Sequence, residues 1–276
     1  MATKEPALTV VLITGASSGI GFLTADLLHA LGYRVYGTSR RPEKHAVPFT
    51  MLRMDVTDPV SIDAALAELM KKEEGVDVLV NNAGMGIGGS VEESTSAMIR
   101  EQMDTVFLGM VEVTRRVLPL IRRRGGGRII NVSSIAGRMG LPYQGYYSAA
   151  KFAVEGLSEA LSIEVKSFGI DVVLVEPGDM STGFTSARKW IVDESSPYGR
   201  QVLKTKEIIE KNEQKGGDPG KVARKIVRII RRKHPRFRYM TGKPEEKLAV
   251  VIRIFLPFRL FERILALFYG VKMKKR

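Results

Sequence analysis

The chain of 276 residues contains no cysteine. Disulfides, thiol nucleophiles and cysteine-ligated zinc are thereby excluded, and the composition suits a reducing compartment. Histidine is nearly as scarce. His29, His45 and His234 stand far apart in no ligand spacing, so no metal site is expected. No run of about 18 apolar residues occurs, which leaves no candidate transmembrane helix. The opening MATKEPALTVVLITG holds one short apolar run that leads straight into glycine. It is too short and too charged in front for a secretory signal. There is no internal repeat and no low-complexity linker, so residues 1–276 read as one domain, long enough for a proper core.

Acidic residues are also lacking, but only in one place. Residues 201–276 hold 7 Asp/Glu against 22 Lys/Arg, whereas residues 1–200 hold 23 against 21. The net charge of +13 therefore belongs to the C-terminal quarter. Such a segment favours anionic lipid, nucleic acid or an acidic partner, or is simply a solvated basic face.

The first 180 residues alternate two patterns. Short β-branched runs occur at 9–15, 34–39, 76–84, 127–134 and 170–178, with helical stretches at 19–32, 61–75, 96–125 and 150–169 between them. Strands that read as almost continuous apolar runs are buried on both faces. The alternation predicts an α/β fold: βαβ units forming a doubly wound parallel sheet between two helical layers. Right-handed crossovers line up the C-terminal strand ends along one edge, where open α/β sheets bind ligands. After Gly178 the pattern changes. Residues 179–217 are polar with little strand character, and read as a mobile lid over a substrate or a surface excursion. A capped helix is expected at 218–232, with Asp218 as N-cap and Pro219 at the first position. One more strand is expected at 236–242.

LITGASSGIG, residues 12–21, closes the first strand and opens the first helix. Gly15, Gly19 and Gly21 let the backbone turn sharply and approach a pyrophosphate, to which the helix N-terminus offers free N–H groups. The second strand ends in Ser39, Arg40 and Arg41 where an acid would bind a ribose hydroxyl. A guanidinium suits a 2′-phosphate, so NADP(H) is expected over NAD(H). The ends of the other strands, at MDV (54–56), NNAG (81–84), NVSS (131–134) and EPG (176–178), bring small or polar residues to the same crevice. In GYYSAAKFAVEG (145–156), a helix sets Tyr147 and Lys151 one turn apart on one face, with Tyr146 off that face.

Thr14-Gly15-Ala16-Ser17-Ser18-Gly19-Ile20-Gly21, Asn81-Asn82-Ala83-Gly84, Ser134, the Tyr147/Lys151 pair, and Pro177-Gly178 followed by Thr182 occur in one order over about two-thirds of the chain. Together they resemble the short-chain dehydrogenase/reductase family, whose fold is a three-layer Rossmann sandwich. The stretch from Gly127 to Val165 is most similar to its steroid and retinol dehydrogenase branch. The resemblance implies roles. Gly15, Ser17, Ser18 and Ile20 match the pyrophosphate cradle, and Asp55 and Val56 the adenine contacts. Asn82, Ala83 and Gly84 match the ribose-side wall. Pro177, Gly178, Met180 and Thr182 match the nicotinamide side. Ser134, Tyr147 and Lys151 match the catalytic group, with Lys151 also reaching the ribose. A free phenol titrates near ~10 and is a poor acid–base group at neutral pH, so Lys151 is expected to lower the Tyr147 pKa. Tyr147 then gives a proton in reduction and takes one in oxidation, while Ser134 hydrogen-bonds the reacting oxygen. One residue departs from the pattern: in DTVFLG (104–109), Val106 replaces an asparagine that the family uses in proton relay.

Residues 247–276 are apolar with interspersed arginines, and Pro257 is expected to break them into two helical pieces. This amphipathic extension suits a membrane interface, a second subunit or the substrate pocket. No nucleic-acid motif accompanies it, so nucleic acid is not an expected partner. The reading is an NADP(H)-dependent oxidoreductase of lipid metabolism, interconverting a ketone or aldehyde and its alcohol on a lipophilic steroid, retinoid or fatty substrate. It is expected in the cytoplasm, peripheral at an anionic membrane surface, as a homodimer or homotetramer. A non-catalytic nucleotide-binding or membrane-docked scaffold is the alternative, motivated by Val106.

Overall fold

A computed structural model describes residues 5–273 of the chain. Seven parallel strands form the central sheet: β1 (Val10–Ile13), β2 (Arg34–Ser39), β3 (Thr50–Arg53), β4 (Val78–Asn81), β6 (Gly127–Val132), β7 (Ile170–Pro177) and β9 (Arg238–Thr241). β5 (Ile87–Gly88) and β8 (Lys189–Trp190) pair separately as a two-stranded ribbon. The order of the large sheet is β3-β2-β1-β4-β6-β7-β9. The chain therefore winds outward from β1 to β3, then returns to the centre and winds the other way from β4. The reversal leaves a crevice between the ends of β1 and β4, the place where doubly wound sheets bind ligands.

Period-two alternation divides the core. Val10 and Leu12 point to one face, where Ile62 and Leu66 of α2 (Pro59–Met70), Val113 and Val117 of α4 (Gly109–Arg123) and Leu161 of α5 (Gly145–Glu164) cover them. Val11 and Ile13 point to the other, covered by Ala25 and Leu28 of α1 (Gly19–Ala30) and Val222 and Ile226 of α8 (Pro219–Arg231). The α8 N-terminus is held as expected. Asp218 accepts a hydrogen bond from the Gly220 N–H at 2.7 Å, and Pro219 opens the helix.

Three stretches differ from the sequence expectation. The long helix at 96–125 is interrupted: α3 (Ser96–Met103) and α4 are joined by a π-helical segment, Asp104–Leu108, with Val106 buried in it. Residues 179–217 hold a short helix α6 (Phe184–Ala187), strand β8 and a sixteen-residue helix α7 (Gly199–Gln214). Their scattered apolar positions obscured that helix, because only a narrow stripe, with Val202 and Ile209, turns inward. The last stretch is helical from Pro244, earlier than its apolar run begins. Pro257 divides it into α9 (Pro244–Phe255) and α10 (Phe258–Phe268).

Candidate active site

The glycine turn is built by close approach. Gly15 and Gly19 have φ of +66° and +56°, a region that L side chains avoid. A Cβ on Gly15 would lie 2.8 Å from the Ala83 Cα. One on Gly21 would lie 2.4 Å from both the Asn82 side-chain amide and the Gly15 carbonyl. NNAG is the strut for this turn. The Thr14 hydroxyl accepts from the N–H groups of Asn82 and Ala83, each at 3.0 Å. The Asn82 amide donates to the Thr14 and Gly15 carbonyls at 3.1 and 3.0 Å. Asn81 turns inward instead and donates to Asn131 at 2.8 Å, tying β4 to β6.

A cleft of about 1250 Å³ opens above these strand ends. It is lined by every site residue expected from the sequence except Gly21, which packs behind the turn. At one end stand Ser39, Arg40, Arg41, Lys44 and His45, and at the other Ser134, Tyr147 and Lys151. Among the described residues, Arg40 and Arg41 have no ion-pair partner. The first turn of α1 faces the cleft, and Ser18 at its N-cap places no side chain on the free amides. Free N–H groups and glycines that leave the cradle open fit the pyrophosphate of a dinucleotide. Asp55 is partly committed, accepting from the Thr57 N–H at 3.0 Å and its hydroxyl at 2.8 Å. Thr182 arches over Gly19, and Met180 is buried beside Gly217.

The reacting end is built on α5. Tyr147 lies in its first turn and Lys151 one turn on, while the neighbouring Tyr146 hydroxyl turns away and donates to the Val91 carbonyl at 3.1 Å. Ser134 follows β6 in extended conformation and accepts from the Ala136 N–H at 3.1 Å. Its hydroxyl donates to the Pro177 carbonyl at 3.4 Å and lies close enough to the Tyr147 phenol to favour the phenolate. Lys151 is 7 % exposed and donates to the Val132 carbonyl at 2.8 Å. Burial pushes its pKa down to about 8, opposed by the negative charge of Glu155. At neutral pH it therefore remains mostly an ammonium.

The Tyr147 pKa runs against the sequence expectation. Burial raises it, because a phenolate in this cleft loses its water. The nearby Ser134 hydroxyl and the charge of Arg188 oppose the rise, while Glu213 and Asp179 add to it. Lys151 sits 5.9 Å from the centre of the phenol ring, its ammonium turned to Val132. The protein alone thus holds Tyr147 as a protonated acid.

Several lining groups had no signal in the sequence. Arg188 and Glu213, 25 residues apart, form a buried bidentate pair with contacts of 2.6 and 3.1 Å. The guanidinium stacks on Phe184 and Trp190, and Phe184 in turn packs 5.9 Å from Tyr147. Behind them Met139, Leu141, Ile209, Val250 and Phe261 form a buried apolar cluster on which Tyr147 and Trp190 pack, and of these five Leu141 reaches the cleft. Beneath the site, Val106 lines a small cavity with Asn81 and Lys151, and the Asn81 side-chain oxygen there has no hydrogen-bond partner. Among the described residues no cluster of ligating side chains could hold a metal ion.

Comparison with known proteins agrees with this geometry. Residues 9–190 match the family model of the short chain dehydrogenases. A 3-ketodihydrosphingosine reductase from Bacteroides thetaiotaomicron is 44% identical over 95% of this chain and 98% of its own. A solved short-chain dehydrogenase from Streptomyces avermitilis superposes with a TM-score of 0.81 at 33% identity, covering 93% of this chain and 96% of that one. A short-chain dehydrogenase/reductase from Burkholderia phymatum, solved in complex with NAD, gives 0.78 at 25% identity, covering 91% and 95%. With glycine turn, NNAG strut, serine, tyrosine and lysine all meeting in one cleft, the chain belongs to the short-chain dehydrogenase/reductase family, NAD(P)-binding oxidoreductases acting on CH–OH groups.

Proposed function

We propose that the protein is an NADP(H)-dependent carbonyl reductase whose substrate is a long-chain 2-amino ketone, the class that contains 3-ketodihydrosphingosine. The observation that carries the reading is the single cleft with an unpaired basic end, a protonated phenol at the other, and apolar groups such as Leu141 and Phe184 beside that phenol. When bound, the reduced nicotinamide supplies a hydride to the carbonyl carbon. Tyr147 donates its phenolic proton to the carbonyl oxygen, and Ser134 hydrogen-bonds that oxygen while negative charge gathers on it. The phenolate left behind is stabilised by Ser134 and by the positive charges of Arg188 and Lys151. Arg40 takes the 2′-phosphate and Lys151 the ribose. Gly15, Ser17, Ser18, Gly19, Ile20 and Gly21 form the pyrophosphate cradle. Asp55 and Val56 bound the adenine, Asn82, Ala83 and Gly84 the ribose side, and Pro177, Gly178, Met180 and Thr182 the nicotinamide. The 44% identity to a reductase of 3-ketodihydrosphingosine supports the substrate class, and Ile135, Leu141 and Phe184 in the cleft suit its alkyl chain.

The route to that substrate is the membrane surface. No helix of the described residues is long and apolar enough to cross a membrane. Yet α9 and α10 are apolar on both sides. Val250, Phe261 and Ala266 pack inward, while Phe255 and Leu267 are 80% and 84% exposed. Ile254, Phe258 and Ile264 share that outer surface, rimmed by Lys247, Arg259 and Arg263. The cations outnumber the exposed acids Glu245 and Glu262 of the same helices, and apolar residues in such a setting suit an anionic bilayer. A two-fold contact through the same patch would oppose its own cations, so the homodimer or homotetramer instead uses the α4/α5 layer, where Phe152 and Ile163 face outward.

A second reading, a nucleotide-binding protein without turnover, rests on Val106 alone. The π-helical segment keeps its shape around valine, and Lys151 keeps a carbonyl partner. The test is NADPH and NADH oxidation by the purified protein with a long-chain 2-amino-3-ketone. Faster NADPH oxidation with stoichiometric alcohol is expected. Tight NADPH binding without alcohol, across amino and plain long-chain ketones, would favour the second reading.

A further inference from the structure

We propose that Asp179 binds the substrate's ammonium group beside the reacting carbonyl and so selects amino ketones over plain ketones; this rests on the substrate class proposed above. Asp179 follows Gly178 at the end of β7 and lines the cleft with Tyr147, Arg188 and Glu213. Its backbone is fixed on both sides. The N–H donates to Glu246 at 3.1 Å, and the carbonyl accepts from the Gly217 N–H at 2.8 Å. The carboxylate itself has no hydrogen bond and no ion pair among the described residues.

Its neighbours are already engaged. Glu213 is held by both arms of Arg188. Glu246 accepts from the backbone N–H groups of Asp179 and Lys243, the latter at 2.7 Å. Tyr269, after the end of α10, completes the group. It is 6% exposed, and its hydroxyl has no hydrogen-bond partner among the described residues. Burial and the charges of Asp179, Glu213 and Glu246 all push that phenol upward, so it lies in their field. Two cations, Arg188 and Lys243, face three carboxylates, and the uncompensated charge rests on Asp179.

This is an unfavourable arrangement for the empty protein. Burial, then Glu246, then Glu213 raise the Asp179 pKa to about 7, against Lys243 and Arg188. A half-buried carboxylate among like charges lacks the partner that normally compensates its desolvation. A cation entering the cleft supplies one. An ammonium offers three N–H donors, enough for both oxygens of the Asp179 carboxylate. Asp179 also acts electrostatically on Tyr147, which sets the cation near the carbonyl that Tyr147 protonates. In a 2-amino ketone the amine sits on the carbon next to that carbonyl. A site built around such a pairing discriminates against ligands that leave it unmade.

The test compares kcat/KM for a long-chain 2-amino-3-ketone and for the 3-ketone of equal length lacking the amine, in wild type, Asp179→Asn and Asp179→Glu. The wild type is expected to prefer the amino ketone. Asp179→Asn should reduce that preference by about tenfold or more, chiefly through KM, and Asp179→Glu should restore part of it. An unchanged preference in Asp179→Asn overturns the subsite and leaves the substrate class standing. A wild type that reduces the plain ketone and not the amino ketone overturns both. Calorimetry on the wild type gives a second reading without any substitution. A long-chain 2-amino alcohol should bind about tenfold more tightly than the alcohol lacking the amine, and equal affinities overturn the proposal.

Discussion

The two ends of the cleft are built on different principles. Up to Gly178 the lining residues stand mostly at the ends of parallel strands, with Tyr147 and Lys151 added from α5, and backbone geometry dictates the strand-end positions. A residue that is not glycine at Gly21 would collide with Asn82 and with the Gly15 carbonyl. Beyond Gly178 the lining comes from residues 179–188, a segment that includes α6, and from Glu213 of α7, held by the Arg188–Glu213 pair. The first region binds what every member of the fold must bind. The second is free to change, because a helix can be moved or a side chain replaced without disturbing the sheet. The charge follows the same division, with the cationic excess in the C-terminal quarter.

The largest effect expected on stability lies in the second region. Arg188→Ala leaves Glu213 buried without its partner, which should lower the unfolding free energy by about 3–5 kcal/mol; urea titration measures it. A loss below about 1 kcal/mol would mean that the pair is solvated and does not anchor α7. In the first region, Gly21→Ala should cost about 1–3 kcal/mol through overpacking and weaken both NADPH and NADH, as read by fluorescence titration. Equal cofactor affinity would show that the turn has slack. Arg40→Ala should weaken NADPH by about tenfold and leave NADH nearly unchanged; equal losses would remove Arg40 from cofactor choice. On the outer face, Leu267→Glu should reduce pelleting with anionic vesicles by roughly tenfold while solution turnover is retained. The pH effect is gentlest. Lys151 carries its charge below about pH 8 and loses it above. With a phenol that burial keeps protonated, kcat/KM for reduction of a plain ketone, which does not call on Asp179, should be level through neutrality and decline above about 8. A plateau that runs well past that pH would detach Lys151 from the rate.

The first region was legible because its constraints are local. Strands of four to eight residues, glycines at a turn and polar residues at strand ends announce themselves in order. The Tyr147 and Lys151 spacing needed only helical geometry, and the Tyr146 hydroxyl does turn away. The electrostatics were less legible. Lys151 was expected to draw the Tyr147 pKa down, yet burial outweighs it and the opposing influences come from Ser134 and Arg188. Burial depends on the whole fold. The residues of α7 escaped notice for a related reason: Glu213 and Arg188 gain meaning only when tertiary packing joins them across 25 positions. The division of the C-terminal run at Pro257 was readable, since proline removes a helical N–H and crowds the preceding turn, although Pro119 is accommodated within α4. Which side of α9 and α10 would stay exposed was not.

The most direct measurement is a single-turnover experiment with bound NADPH and a long-chain 2-amino-3-ketone, comparing wild type with Tyr147→Phe, alongside NADPH affinity for both. The expected result is oxidation of NADPH and formation of the alcohol by the wild type. In Tyr147→Phe the rate should fall by about 10²–10⁴-fold, with cofactor affinity preserved. Undiminished turnover in Tyr147→Phe would contradict the assignment of the buried phenol as the proton donor.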